Sequence, residues 1–318
     1  MRSVVAKGRT SLVLACACTL VTASASLNAQ TVVTTIPLAN SPAGIGEDPV
    51  ARRIYVAEYN QVQVIDEKTN TVVNSFNLPT TGGITDVKPN PATGLIYVAV
   101  ETQGLYVVDP RTFLPLAFVN VPATTLAVNY ATNTIYVSDF NTTLYVVDGQ
   151  SNTIDKAIVV DGIENVAVNP VTDRIYAAQN VFPAKVAVIN GKNNKIIADP
   201  SGGGDLGYDV DVDPYHNTFA SSEEFGSASL YNGATNTLTG TAQLGGNPGG
   251  IRIDYLTQQV FVANYADNVV QVVNPATKTV VNTVPVGANP EYEAMDEATG
   301  MLYVGNTGSN SLSVISTR

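Results

Sequence analysis

The stretch LIYVAVETQGLYVVD, residues 95–109, is repeated in altered form along the chain. Its opening returns as RIYVAE (53–58), TIYVSD (134–139), RIYAAQ (174–179), QVFVAN (259–264) and MLYVGN (301–306). Successive aromatic residues of this motif are 42, 39, 40, 85 and 42 positions apart. The long gap contains one weaker copy, DPYHNTFASSE (213–223), in which Ala220 takes the aromatic position. The spacing therefore predicts seven repeats of about 41 residues between residues 31 and 318.

Each repeat contains four segments of strand character. In the last repeat these are TVVNTVPV (279–286), PEYEAMDE (290–297), MLYVGN (301–306) and SLSVIS (311–316), with Gly, Asn and Thr between them. No segment shows the sustained 3.6-residue period of an amphipathic helix. Four strands that recur every 40 residues or so are typical of a β-propeller blade. The sequence thus predicts an all-β, seven-bladed β-propeller with four-stranded blades and essentially no helix.

The two ends of the repeat region complement each other. TVVTTIPL (31–38) resembles the outermost strand TVVNTVPV but has no blade before it, and SLSVIS (311–316) has no outermost strand after it. We expect residues 31–38 to pair with residues 311–316 and close the ring, because an unpaired sheet edge invites aggregation.

Residues 1–29 have the layout of a secretory signal peptide. Arg2, Lys7 and Arg9 precede the apolar segment SLVLACACTLVTASAS (11–26), and small residues follow. This segment is too short and too polar for a comfortable membrane span; an uncleaved anchor and a lipoprotein cut before Cys16 are the alternatives. We therefore expect a periplasmic or secreted protein with one propeller domain over residues 30–318. We expect no disulfide in it, since the only cysteines, Cys16 and Cys18, lie in the segment that would be removed.

The charge balance argues against nucleic acid as a partner. Residues 30–318 carry 13 Lys and Arg against 27 Asp and Glu, a formal balance of −14. Such a surface repels a phosphate backbone. We expect a monomer whose partners are a small molecule or a protein.

The repeats resemble those of the YVTN family of β-propeller proteins. The matching stretches are IYVAEYNQVQVIDEKTNTVVNSFNL (54–78), FVANYADNVVQVVNPATKTVVNTVPVG (261–287) and LYVGNTGSNSLSVIS (302–316), and the fifth repeat departs most from the pattern. The resemblance implies an exported or cell-surface seven-bladed propeller. Its members are similar to surface-layer and periplasmic binding proteins, and the architecture is similar to that of sugar lactonases, so the resemblance implies little about activity.

Recognisable catalytic motifs are absent from the sequence. His216, in the turn DPYHN, is the only histidine, and no nucleophile elbow, paired-cysteine motif or phosphate-binding loop is present. We expect no catalytic residue and no cofactor held by Cys or His.

The loops between the second and third strands of each repeat combine acids with aromatic rings. Because these loops share one propeller face, they form the predicted ligand-binding surface, unless the rings fold back onto neighbouring blades. Its candidate residues are Glu58, Tyr59, Glu101, Asp139, Phe140, Phe182, Glu224, Phe225 and Tyr265.

The innermost strands supply a second set of candidates. Aligned on the residue before each turn, they place small residues in one channel position except at Lys88, Asp211 and Arg252. Lys88 and Arg252 join the predicted ligand-binding residues. The candidate ligands for a Ca²⁺ ion in the channel are Asp86, Asp209, Asp211 and Glu293. The alternative is that these charges pair with one another and with water.

Two functions follow from these observations. The first is an exported, non-catalytic propeller that binds a ligand or a protein partner on its loop face. The second is a Ca²⁺-dependent, lactonase-like hydrolase with a carboxylate-bound metal that activates water. A structural role in a cell-surface assembly is a third that the sequence does not separate from the first.

Overall fold

The computed structural model describes residues 30–318, and every regular element in this range is a β-strand. The predicted signal peptide and both cysteines lie outside the described residues. Strands at the outer edges of the sheets alternate between exposed and half-buried positions. Inner strands such as β7, Ile96–Val100, are buried throughout, as expected for sheets that are covered on both faces.

The strands are, in chain order, β1 (Thr31–Pro37), β2 (Pro42–Asp48), β3 (Arg53–Glu58), β4 (Gln61–Asp66), β5 (Thr71–Phe76), β6 (Ile84–Pro89), β7 (Ile96–Val100), β8 (Gly104–Asp109), β9 (Leu114–Val119), β10 (Thr125–Asn129), β11 (Thr134–Ser138), β12 (Thr143–Asp148), β13 (Thr153–Val159) and β14 (Ile163–Asn169). They continue with β15 (Arg174–Gln179), β16 (Lys185–Asn190), β17 (Lys195–Ala198), β18 (Gly207–Asp213), β19 (Thr218–Glu223), β20 (Ser227–Asn232), β21 (Thr237–Gln243), β22 (Pro248–Ile253), β23 (Val260–Asn264), β24 (Val269–Asn274), β25 (Thr279–Pro285), β26 (Pro290–Asp296), β27 (Met301–Asn306) and β28 (Ser311–Ser316).

These strands form seven antiparallel sheets of four strands each, which confirms the predicted seven-bladed propeller. Blade 1 is β2 to β5, and blades 2 to 6 follow in chain order up to β25. Blade 7 has the order β1-β28-β27-β26, so its outermost strand comes from the beginning of the described chain.

The ring is closed as the sequence predicted. β1 pairs antiparallel with β28, from Thr31 opposite Ser316 to Pro37 opposite Ser311. Ile36 is 3% exposed and packs in one core cluster with Leu312. This pairing joins the two ends of the propeller, so hydrogen bonds and apolar contacts hold the ring shut.

The repeated aromatic residues lie in the core between blades. Tyr55, Tyr97, Tyr136, Tyr176, Phe261 and Tyr303 are at most 2% exposed. Ala220 occupies the same register position in blade 5, where it lies opposite Asp211. The aromatic side chains of that blade's core are instead Phe219 and Tyr231, whose rings stack with centroids 4.5 Å apart.

Repeated Asp and Asn residues build the turns on one side of the propeller. The Asp48 carboxylate accepts hydrogen bonds from the backbone N–H groups of Val50 and Ala51. The Asp or Asn side chain that ends or directly follows each of the other six innermost strands accepts at least one such bond. We call this side, with the turns after the first and third strand of each blade, the turn face. The loop face carries the loops after the second strand and those that lead into the next blade.

Candidate functional site

The seven aligned channel residues share one register position. Gly46, Lys88, Ala127, Ala167, Asp211, Arg252 and Ala294 each lie opposite the core aromatic residue of the next strand, or opposite Ala220 in blade 5. The sequence alignment of the innermost strands is therefore correct. It places Lys88, Asp211 and Arg252 beside the central channel, at a register position that is otherwise occupied by Gly and Ala.

Lys88 forms an ion pair within its own strand. Its Nζ atom lies 2.7 Å from Asp86 Oδ1 and donates to the Ile45 carbonyl oxygen at 2.8 Å. The second Asp86 oxygen accepts the backbone N–H of Leu126 at 3.0 Å. Asp86 therefore connects blade 2 to blade 3, and both of its oxygens are engaged.

Arg252 is the second cation of the channel. Its Nη1 atom lies 3.0 Å from Asp209 Oδ2, which also accepts the backbone N–H of Ile251. Asp211 Oδ2 accepts the backbone N–H of Ile253 at 2.8 Å. Burial raises the pKa of Asp211 to about 6, although the nearby Arg252 charge opposes this shift.

Glu293 is a channel acid with no hydrogen bond at either carboxylate oxygen. It is 1% exposed. Burial raises the pKa of Glu293 well above its usual range, and the Arg252 charge only partly opposes this shift. A buried carboxyl group without a hydrogen-bond partner lowers the free energy of unfolding. The requirements of the fold alone therefore do not explain why Glu293 is present.

The repeat shows which residue the fold itself requires at this position. Glu293 lies opposite Val304, and the equivalent residues of the other six blades are Ile45, Val87, Leu126, Val166, Val210 and Ile251. All six are aliphatic and at most 6% exposed. Gly250 lets β22 approach β26 closely, because a Cβ added there would lie 2.6 Å from the Glu291 carbonyl oxygen.

A cavity of about 240 Å³ opens at the loop-face end of the channel. We call it the mouth cavity. Five carboxylate residues and two cationic residues line it: Asp86, Glu164, Asp209, Glu291, Glu293, Lys88 and Arg252. Since the two cations pair with Asp86 and Asp209, three acids have no cationic partner within the lining. A second cavity of about 290 Å³ continues towards the turn face and includes Asp211.

Aromatic rings border the uncompensated acids. Phe140, Tyr208 and Tyr292 line the mouth cavity, and the Tyr208 hydroxyl donates to Glu291 Oε1. Burial, together with the nearby charges of Glu224 and Glu291, raises the pKa of Glu164 to about 7, and a hydrogen bond from Asn180 opposes this shift. The arrangement offers negative charge and π faces to the same small volume.

Phe140 is presented by a tightly bonded loop. Asp139 Oδ1 accepts three backbone N–H groups, from Asn141, Thr142 and Thr143, at 2.9 to 3.0 Å. Phe140 has a φ angle of +58°, a left-handed conformation that costs a bulky residue about 1–2 kcal/mol. Asp139 therefore shapes the loop that carries Phe140, whereas the sequence predicted that it contacts ligand.

The other predicted loop-face rings do not gather at the mouth cavity. Tyr265 lines an adjoining cavity of about 230 Å³ with Tyr208 and Glu291. Phe182 and Phe225 are 78% and 72% exposed, and neither lines the mouth cavity.

Three more predicted residues lie away from the mouth. The Tyr59 ring lies over Gly83 of blade 2, where an added Cβ would be 2.7 Å from the ring, as expected for a ring that folds back. Glu101 lines a separate cavity of about 390 Å³ with Asp139 and Phe140. Glu224 is half-buried, and its backbone N–H donates to the Leu206 carbonyl.

Glu58, which the sequence predicted as a ligand contact, lies inside the blade. Glu58 is 0% exposed, and its Oε2 atom accepts from Asn40 and Gln61 at 3.0 and 2.7 Å. It occupies the strand-end position at which other blades place Gln179, Asn264 and Asn306, which also hydrogen-bond to nearby groups. Its carboxylate braces a loop from inside and does not reach the surface.

The four predicted Ca²⁺ ligands do not form a converging oxygen set. Asp86 and Asp209 are engaged by cationic side chains and by backbone N–H groups, as described above. Among residues 30–318, the one group of three acids whose oxygens lie within 4.8 Å of one another is Glu47, Glu67 and Asp296, close to the turn face. The donor set in the channel therefore fits a metal ion poorly.

Sequence reasoning missed Glu164, Tyr208, Glu291 and Tyr292. β14, β18 and β26 each contain a register shift near their first residues, between Ile163 and Asn165, Gly207 and Val210, and Pro290 and Tyr292. A β-bulge turns consecutive side chains out of strict alternation. Counting by twos from the channel position therefore misses Glu164, Tyr208 and Glu291, whereas Tyr292 lies two residues before Ala294 and could have been found by that count.

His216 stabilises a turn. Its Nδ1 atom lies 2.7 Å from Asp213 Oδ2, and Nε2 lies 3.2 Å from the Gln258 amide. It is on the turn face and does not line the mouth cavity.

Comparisons with known proteins support the fold only. A chain of Kuenenia stuttgartiensis hydrazine synthase is similar to this chain with a TM-score of 0.76 at 16% identity, over 87% of this chain and 95% of that chain. A chain of the mitotic checkpoint complex is similar with a TM-score of 0.81 at 12% identity, over 99% and 98% of the two chains. No protein-family model and no curated protein matches, so membership of the YVTN family stays a prediction.

These findings define the class of protein. The chain is a seven-bladed β-propeller whose loop face opens into an acidic cavity lined by aromatic rings. No helix long and apolar enough to cross a membrane is present in the described part of the chain.

Proposed function

We propose that this protein is an exported, YVTN-type propeller that binds a small organic cation in the mouth cavity without acting on it. The observation that carries the proposal is Glu293, a buried acid with no hydrogen bond at a position where six blades have an aliphatic residue. A cationic ligand supplies the missing partner. Binding then offsets the cost of burying this group in the free protein.

The lining matches the other parts of such a ligand. Glu164 and Glu291 add negative charge at the rim, and Phe140, Tyr208 and Tyr292 provide ring faces and edges for methylene or methyl groups. Lys88 and Arg252 are paired with Asp86 and Asp209, and the Arg252 charge only partly offsets the effect of burial on Glu293. A cavity of about 240 Å³ suits a group the size of an alkylamine.

Thermal shift with matched ligand pairs tests the proposal. The full chain is titrated with putrescine, choline and Nα-acetyl-lysine amide, and in parallel with the neutral analogues 1,4-butanediol, 3,3-dimethylbutan-1-ol and Nα-acetyl-norleucine amide. We expect at least one cation to raise the melting temperature and its neutral analogue to have no effect. The Glu293→Gln variant keeps the side-chain size but should lose about tenfold or more in affinity, as expected for a charge-assisted hydrogen bond.

Two results contradict the proposal. One is an equal response to charged and neutral analogues; the other is an unchanged affinity in Glu293→Gln. A response only to the lysine amide indicates that the ligand is a side chain of a partner protein. The hydrolase alternative has less support, because the required acids are engaged by Lys88, Arg252 and backbone N–H groups. A large melting shift caused by Ca²⁺ and abolished by Asp209→Asn would favour it.

A further inference from the structure

The turn face has a second concave site at the opposite end of the channel. A cavity of about 500 Å³ lies among the turns that follow the innermost strands. Its apolar lining comes from Pro49, Pro91, Tyr130, Pro214 and Tyr215, with Tyr255 beside Tyr215 at a ring-centroid distance of 4.6 Å. We call this the turn-face cavity. It shares Glu47 and Glu297 with the lower part of the channel.

Exposed apolar side chains occur on the same turns. Val50, Tyr130, Val171, Tyr215 and Leu256 are 44% to 74% exposed, and each belongs to the turn after an innermost strand. Val50, Val171 and Leu256 are not part of the cavity lining. Grouped exposure of this kind on one face of a soluble domain commonly marks an interaction surface.

Acids occupy two positions where the repeat has apolar residues. Glu47 lies opposite Ile54, and the equivalent residues in the other blades are Pro89, Val128, Val168, Val212, Ile253 and Met295. Glu297 directly follows Asp296, the turn-forming residue of blade 7. In the other six blades the residue that follows the turn-forming Asp or Asn is Pro49, Pro91, Tyr130, Pro170, Pro214 or Tyr255. Six copies of the repeat build the turn face without these acids, so folding does not require them.

The two glutamates have incomplete partners. Glu47 Oε1 and Glu297 Oε2 are buried atoms without a hydrogen bond. Glu67 and Asp296 lie close to Glu47. Burial, together with neighbouring acids, raises the pKa of Glu47 to about 9 and the pKa of Glu297 to about 9.

The nearby cations are directed mainly at other acids. Arg52 Nε lies 3.0 Å from Glu67 Oε2. Arg318 Nε lies 3.7 Å from Asp254, and its Nη2 atom is 4.0 Å from Glu297 Oε2. Neither arginine forms an ion pair with Glu47. The centre of the turn-face cavity therefore has fewer positive than negative groups.

We propose that the turn-face cavity is a docking site for a partner polypeptide that inserts one lysine or arginine side chain between Glu47 and Glu297. Charge complementarity identifies the inserted group, because a basic side chain would stabilise the ionised form of both glutamates. The exposed apolar turn residues identify a polypeptide, because a free amine would fill the cavity and leave Val50, Val171 and Leu256 uncovered. A buried charged centre within an apolar surround is the arrangement of an interface hot spot. This proposal is independent of the cation site on the loop face.

Peptide selection with paired variants tests the docking site. A phage-displayed library of random dodecapeptides is selected on the immobilised full chain, with counter-selection on the double variant Glu47→Gln/Glu297→Gln. We expect the recovered peptides to carry a Lys or Arg flanked by apolar residues. A synthetic peptide of the recovered sequence should bind the double variant about tenfold to a hundredfold more weakly, and replacing its Arg by citrulline should have a similar effect.

The controls separate this site from the mouth cavity. Glu293→Gln should bind the recovered peptide as the wild type does, and the double variant should keep its melting response to the organic cations. A melting temperature of the double variant at or above that of the wild type shows that it is folded. The proposal is overturned if the recovered peptides lack a basic residue or bind the double variant as tightly as the wild type.

Discussion

Replacing Glu293 by the residue type of the other blades should stabilise the protein and abolish cation binding. The site is 1% exposed, and both carboxylate oxygens lack partners. Removing an unsatisfied buried polar group recovers about 1–3 kcal/mol in the free energy of unfolding. The aliphatic side chain of Ile fits the position, because Ile45 and Ile251 occupy it in blades 1 and 6 at 2% and 0% exposure.

The assay is thermal unfolding of Glu293→Ile beside the wild type, with and without the best cation of the panel. A domain of this size gains about 2–4 °C in melting temperature for each kcal/mol, so we expect an increase of a few degrees without ligand and no further increase with it. Glu293→Gln is the matched control: it keeps an unsatisfied polar group, so it should lose binding without the gain in stability.

The reasoning fails if Glu293→Ile melts below the wild type. That result would mean that the acid stabilises the buried Arg252 charge and is present for structural reasons. A stabilised variant that still binds the cation would show that the acid is dispensable and that the ligand is held elsewhere.

Three further predictions concern closure, pH and the channel charges. Ile36→Ala should lower the free energy of unfolding by about 2–5 kcal/mol because Ile36 is buried where the ring closes. The control Val33→Ala, on the same strand at 49% exposure, should change it by less than about 0.5 kcal/mol. Equal melting temperatures of the two variants would refute the closing role. The folded chain retains the Glu164 proton up to a pKa of about 7. As the pH increases through this value, the stability of the free protein should therefore fall and its affinity for the cation should rise. Glu164→Gln should remove this pH dependence of the affinity in calorimetric titrations. Asp209→Asn leaves Arg252 without its ion-pair partner and should destabilise the fold by about 3–5 kcal/mol in denaturant unfolding; a loss below about 1 kcal/mol would contradict the pairing.

The repeat itself specified the architecture. The recurring aromatic position, the Asp and Asn turn residues and the similarity of residues 31–38 to residues 279–286 are local features, and each is repeated often enough to be recognised without coordinates. They determined the blade number, the register of the channel residues and the closure by β1 and β28, all of which the structure shows. A periodic chain that buries each sheet against its neighbours leaves few other arrangements.

The functional surfaces depended on tertiary structure. Bulges at the start of β14, β18 and β26 brought Glu164, Tyr208 and Glu291 to the mouth cavity, and strict alternation could not place them there. Burial separated Glu58, which lies inside the blade, from the neighbouring Tyr59, although both belong to one loop motif in the sequence. Whether a charge binds a ligand or an internal partner depends on atoms from other blades, and a one-dimensional pattern does not contain those distances. The sequence alone therefore determined the seven-bladed propeller architecture, whereas only the tertiary structure determined which acids lack a hydrogen-bond or ion-pair partner.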